Sequence, residues 1–243
     1  MAHTLLKTLL LSSVALLVLA LWRRDAFPDP EKAHEALLDD PRQLTPSRTP
    51  FETTVGGVTY RIKPLHSYEL HGLVVSRYDT SSWWGDVHAR WKDNLNVADL
   101  CVIWGDNVRA GRYRYASFWN DETWCNHSFT NARGTIDPVA IANNHLLTDD
   151  PGLARALRGV RVGDQVRLRG HLAEYAHDAV PGFRRGSSVS RGDTGAGACE
   201  TLFVEEFEML QRGGGPWRAV ARIAPVLLAA GVICWFLLPA RVQ

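Results

Sequence analysis

The sequence carries no strong charge of either sign, no phosphate-binding loop and no glycine-rich cofactor box, and each absence closes a class of function. Residues 51–213 hold 18 Lys/Arg against 20 Asp/Glu, a balance near −2. Nucleic-acid binding asks for a clearly basic face, so no nucleic-acid partner is expected. Seven of the nine histidines fall in that stretch, yet none forms HExxH or an adjacent HxH pair. Without the usual ligand spacings no metal is expected, and no cofactor either. Ser187 and Ser188 sit outside any GxSxG elbow, which argues against a serine hydrolase. Four cysteines in 243 residues do not make a disulfide scaffold. Cys101, Cys125 and Cys199 lie in the central region, which allows one disulfide and one free thiol on an oxidising side, or three reduced thiols elsewhere. In the oxidising case Cys101–Cys125 closes the shortest loop and is the expected bridge, with Cys234 unpaired.

Long apolar runs are present, and both lie at the ends. Leu5 to Trp22 is apolar apart from Lys7, Thr8 and two serines, close to the roughly 20 residues that span a bilayer. It ends in Trp22-Arg23-Arg24 rather than in a small-x-small cleavage site, so residues 1–24 read as an uncleaved anchor. Ile223 to Ala240 reads as a second span within residues 217–243, with Trp217 at an interface. The expected setting is a bacterial inner membrane, with a membrane-protein partner an option. Arg23, Arg24, Lys32, Arg212, Arg218 and Arg222 flank the centre, while the tails carry only Lys7 and Arg241. By the positive-inside rule this favours a cytoplasmic central domain, with the periplasm as the alternative that the cysteines keep open.

Residues 25–50 read as a short helix, opened by Asp29 and Pro30 and stopped at Pro41, followed by a linker. Residues 51–210 read as the globular domain, and 211–216 as a Gly-rich hinge. Strand signals dominate the domain: Val58 to Lys63, Tyr68 to Tyr78, Asp99 to Trp104, Tyr113 to Phe118 pairing with it, Gln165 to Tyr175, and the run after Cys199. Helical patterns cover Trp83 to Leu95 and Pro151 to Leu157, the second capped by Asp150, while Asn143-Asn144-His145 reads as a turn. The fold class is therefore mainly β, a small OB-like barrel or sandwich between two transmembrane helices. The string VRVGDQVRLRGHLAEY is similar to a strand pair of OB-fold barrels, with Gly170 suited to a bend at a barrel corner.

The strings WWGDVHARWKDNLNVADLCVIWG, IANNHLL and SSVSRGDTGAGACE together resemble a bacterial membrane-anchored family that brings no established activity with it. The resemblance covers about residues 51–210 and implies a single domain between the anchors. It implies no catalytic assignment.

Two groups of residues could carry chemistry. Arg191, Asp193 and Glu200, joined by His145, form a candidate acid/base or anion-binding set on a Gly-rich loop that enters a strand. The plainer alternative is a turn braced by an Arg191–Asp193 pair around Gly195 and Gly197. Trp84, His88 and Trp91, with Arg185, form a candidate ligand-binding platform; the alternative is that these tryptophans close one end of the barrel. The leading expectation is a membrane-tethered binding or assembly module, and the competing one a membrane-bound hydrolase using the Arg/Asp/Glu loop.

Overall fold

A computed structural model describes residues 2–78, 80, 87–121, 124–190, 192–193 and 199–237, and separates the chain into two units. One unit holds the two terminal helices, α1 (Ala2–Arg23) and, at the far end of the chain, a helix over Trp217–Leu237. Each contains a stretch long and apolar enough to cross a membrane, Thr4–Arg23 and Trp217–Leu237, whose most apolar 18 residues have mean hydropathy 2.2 and 2.1. They pack on each other antiparallel: Gly231 lets Leu10 approach, and Arg218 Nε donates to the Arg24 carbonyl at 2.9 Å.

The second unit, Phe27–Arg212, is mainly β. Its elements in order are β1 (Arg42–Leu44), β2 (Phe51–Val55), β3 (Val58–Tyr78), α2 (Val87–Arg90), β4 (Asn96–Ile103), α3 (Asp106–Arg109), β5 (Ala116–Asn120), β6 (Cys125–Phe129), β7 (Ile141–Leu147), α4 (Pro151–Arg158), β8 (Gln165–Ala176), β9 (Arg184–Arg185) and β10 (Glu200–Gln211); the terminal helix is α5. β2 and β3 form a hairpin over Gly56 and Gly57, both with positive φ, as a two-residue turn matched to strand twist requires. β3 is long enough to pair with β8 along most of its length and with β4 near its end. β4 pairs with β7, β7 runs parallel to β10, and β10 returns to β8. Five strands thus close on themselves.

Side-chain alternation decides what fills the ring. Leu70, Leu100, Leu146, Leu168 and Leu202 belong to one buried cluster, and α4 packs Ala154 and Leu157 against it. Asp150 caps α4 through Gly152 and Leu153 N–H, as its sequence pattern indicates. The faces of β4, β7 and β10 turned away from this cluster carry Asp99, His145 and Thr201, which are register partners across the three strands.

Gly170 lies where β8 faces β10 at Val204, beside a register shift. A methyl group at this position would overlap the Phe203 carbonyl. Gly170→Ala is expected to destabilise the domain by about 1–3 kcal/mol, read from denaturant unfolding; wild-type stability would show that the strand does not need the close approach.

Several local expectations are corrected. Asn143-Asn144-His145 is not a turn but the centre of β7, because strands pair on both sides and the amides find partners there: Asn143 with Asn120 and Cys199, Asn144 with the Ala142 carbonyl. Residues 116–120 do not pair with β4; they pair with β6 in a separate hairpin, since both edges of β4 are taken by β3 and β7. Of Trp83 to Leu95, helix is described only at Val87–Arg90, and the chain then turns through Lys92 at φ 52°. The segment after α1 makes two short 3-10 turns, with no side-chain cap from Asp29. The compact unit begins at Phe27, and β1 adds residues of the expected linker to the edge of β3.

Candidate functional site

The outer face of β4, β7 and β10 is apolar toward its ends, with Ile103, Ile141, Leu147 and Phe203, but polar at its centre. Asp99 and His145 sit opposite each other in the antiparallel pair, so their side chains share a face. His145 Nδ1 lies 2.8 Å from Asp99 Oδ1, both side chains being almost wholly buried. Cys199, just before β10 and two residues from Thr201, falls on the same face and acts on His145 as a hydrogen-bond partner. Burial alone would pull the imidazole's proton affinity down. The charge of Asp99 and its contact, with Cys199 adding to them, override this and raise the His145 pKa to about 10. Burial works against the Asp99 carboxylate as well, but His145, Asn96 and His88 hold its pKa below the usual carboxylate value.

A buried chain of polar groups supports this pair. Asn96 Nδ2 donates to Asp99 Oδ1 at 2.9 Å, and His88 Nε2 lies 4.0 Å from Asp99 Oδ2. His88 Nδ1 contacts Asp93 Oδ2 at 3.1 Å, which accepts the Tyr175 hydroxyl at 2.7 Å. Asn143 adds a donor on the same face. Its Oδ1 accepts from Asn120 Nδ2 at 2.9 Å, which orients the amide so that Nδ2 faces Cys199 Sγ at 3.8 Å.

Cys199 is half-buried and opens on a cleft of about 660 Å³ together with His145 and Thr201. Two loops wall it. The loop before β4 brings Trp91, whose carbonyl is 2.9 Å from His177 Nε2. The loop after β8 brings Phe183, stacked on His177 at 4.1 Å and edge-on to Trp91. Arg185 lies over the Trp91 ring, 4.8 Å from its centre. Residues 186–188 are stitched to the start of β10: Thr201 Oγ1 donates to the Gly186 carbonyl at 2.7 Å, Thr201 N–H to Ser187 Oγ at 3.0 Å, and Ser188 N–H to the Cys199 carbonyl at 2.8 Å. These bonds set the thiol at the floor of the cleft.

The residues singled out from the sequence fall in several places. His145, Trp91 and Arg185 line this cleft together, and His88 lies buried beneath it. Glu200 is the register partner of Asn144 and, by alternation, points away from the His145 face. Asp193 accepts from Ser188 Oγ at 2.8 Å and lines a smaller neighbouring cleft with Glu200 and Cys199. Arg191, Trp84 and the turn at residues 195 and 197 lie outside the described residues. Asp99, Asn143 and Cys199 were not singled out. The available signal was a carboxylate opening the apolar run DLCVIW, which a buried strand accommodates only when the charge is paired.

Cys101 and Cys125 form a disulfide with a Cα–Cα distance of 5.6 Å, the pairing expected for an oxidising side, while Cys199 and Cys234 are not disulfide-bonded. Among the described residues no group of three or more His, Cys, Asp or Glu is placed to hold a metal ion. Comparison of the chain with known protein families, curated proteins and solved structures gives no match.

Proposed function

We propose that this is a membrane-tethered enzyme that uses a cysteine nucleophile on an acyl substrate. The observation that carries the reading is the alignment of Asp99 on β4, His145 on β7 and Cys199 at the entry to β10, at the floor of a cleft of about 660 Å³. A nucleophile beside a base that is itself oriented by a third group is the general logic of covalent acyl transfer. With Nδ1 committed to Asp99, Nε2 is the nitrogen left to exchange a proton with the thiol. The Asp99 carboxylate raises the imidazole's pKa to about 10, so that it can take the thiol's proton and hold it.

The thiolate then attacks the carbonyl carbon, and the oxygen that gains charge finds the Asn143 amide beside the sulfur. The bond to the leaving group breaks as the imidazolium returns its proton to that group, leaving an acyl thioester on Cys199. Water attacks the thioester, His145 taking its proton, and the proton passes to the departing sulfur, which restores the thiol.

Alkylation tests this on the full-length protein carrying Cys234→Ser. Near pH 6, iodoacetamide should label Cys199 roughly ten times faster than it does in the His145→Asn variant, because a paired imidazolium keeps a thiolate available. A burst of one nitrophenol per Cys199 should follow addition of p-nitrophenyl acetate. Equal labelling rates with and without His145, and no burst, would remove the nucleophile reading.

A second reading rests on topology. The ring order, with its parallel β7–β10 contact and α4 between β7 and β8, supports an OB-like barrel. OB folds bind ligands on the face of their second and third strands and on the adjoining loops. The cleft lies on the outer face of β7, the third strand of the ring, against the loops that precede β4 and follow β8. A binding module would hold its ligand undiminished in Cys199→Ser, whereas the enzyme would lose all turnover.

The disulfide supports a domain on the oxidising side of a bacterial inner membrane, since such bonds seldom persist in the cytoplasm. The flanking arginines argue the other way, but the positive-inside rule applies to short loops of up to about 60 residues, and long domains translocate largely regardless of charge. A fluorescent reporter fused after α5 is then expected to work in the cytoplasm, and a phosphatase that needs the periplasm to stay silent. The reverse pattern would put the domain inside.

A further inference from the structure

The walls of the thiol cleft carry Arg184 and Arg185, and among the described residues that line it there is no carboxylate. This is not a reflection of the domain as a whole, which has more acidic than basic residues over 51–213. Several arginines elsewhere on its surface are paired: Arg48 with Glu205, Arg61 with Asp178, Arg167 with Glu69, Arg169 with Glu206. Arg185 has no acidic partner among the described residues. Its guanidinium rests instead on the Trp91 ring, an arrangement that supports the charge from one side and leaves its N–H edge to a ligand.

We infer that the cleft takes an acyl compound with an anionic group, a carboxylate or a phosphate, held by Arg185 while the apolar part of the chain lies against Trp91 and Phe183. The inference rests on the cysteine-nucleophile reading for the word acyl, but not for the anion. A cleft lined by one sign of charge concentrates ions of the other sign, and a planar guanidinium edge receives either anion through two parallel hydrogen bonds. An arginine kept only to brace the fold would be expected beside a carboxylate, as Arg61 and Arg167 are.

The experiment measures protection of Cys199 from iodoacetamide in the full-length protein with Cys234→Ser, using glutarate, glycerol phosphate and neutral glutaramide as competitors. Both anions, or one of them, should slow labelling roughly fivefold more than glutaramide at equal concentration, and the difference should shrink as salt is raised. Arg185→Gln should abolish that difference and Arg185→Lys should keep part of it. The stronger protector assigns the class, glutarate pointing to a carboxylate and glycerol phosphate to a phosphate. Equal protection by anions and diamide, or unchanged protection in Arg185→Gln, overturns the inference. The readout is occupancy rather than turnover, so it stands apart from the nucleophile test: loss of His145-dependent labelling with selective protection intact would sink the enzyme and leave an anion-binding cleft.

Discussion

Asp99→Asn is expected to leave the barrel folded and to cut Cys199-dependent turnover by about 10⁴-fold, the scale of loss when the carboxylate orienting a catalytic imidazole is neutralised. Asparagine preserves the shape and can still meet Asn96, but it cannot stabilise an imidazolium or hold the ring's tautomer. Asp99→Ala is a different experiment. It takes from the buried His145 the carboxylate that holds its proton, so the ring must give the proton up or stay charged without a counter-charge, and it removes the acceptor that Asn96 uses. The expected cost is about 3–5 kcal/mol, the range for breaking one side of a buried pair. Turnover of p-nitrophenyl acetate beside thermal unfolding separates the two: an Asp99→Asn variant that keeps more than about a hundredth of wild-type turnover would show that Asp99 orients nothing the reaction needs.

The pair also predicts a pH profile of stability. The folded protein holds the His145 proton with a pKa of about 10, above the ordinary 6.5 of an open chain. Its contribution is therefore fully present below 6.5 and is lost as pH rises from 6.5 through about 10. Asp99 is depressed, so its contribution is present above the ordinary carboxylate range and is lost as pH falls through its lowered pKa. The melting temperature should form a plateau in mildly acidic solution and decline toward alkaline pH. In His145→Asn the alkaline decline should be smaller; an identical slope in both proteins would mean that His145 is not the group being titrated.

What could be read from the sequence follows the range of the forces involved. The two apolar terminal runs, the Asp150 cap and the alternation of β8 are local patterns, and each specifies its element. The candidate site is non-local. Asp99, His145 and Cys199 are far apart in the chain and meet only because β4, β7 and β10 are neighbours in the ring, with β7–β10 a parallel contact that no turn announces. Asn143 and Asn144 illustrate the same limit. Their intrinsic tolerance of left-handed backbone suggests a turn, and pairing on both edges of the strand overrides it. The aromatic group around Trp91 was legible as a cluster of types, but its partners Phe183 and His177 come from a loop some ninety residues on.

Breaking the Cys101–Cys125 bridge, by Cys101→Ser with Cys125→Ser, is expected to lower stability by about 3 kcal/mol, which for a chain of this size is a fall of roughly 6–12 °C in melting temperature. The bridge spans 24 residues, so much of the effect comes from releasing the unfolded chain. The rest is local. β5 and β6 form a two-stranded sheet of their own, and such a hairpin is marginal unless something ties it down. The bridge ties Cys125 to β4, beside the Asn143 register position, and Asn120 of the same hairpin orients the Asn143 amide toward Cys199. Loosening the hairpin should therefore free Asn143 to turn and reduce the rate of acylation more than the affinity for substrate, since the amide meets a charge that develops only in the transition state. Cys199→Ser is the control: it sits at the cleft floor, outside the bridge, and should melt close to wild type while losing all turnover. If the double serine variant melts with the wild type under non-reducing conditions, the bridge does not form in the native protein, and the argument for an oxidising compartment goes with it.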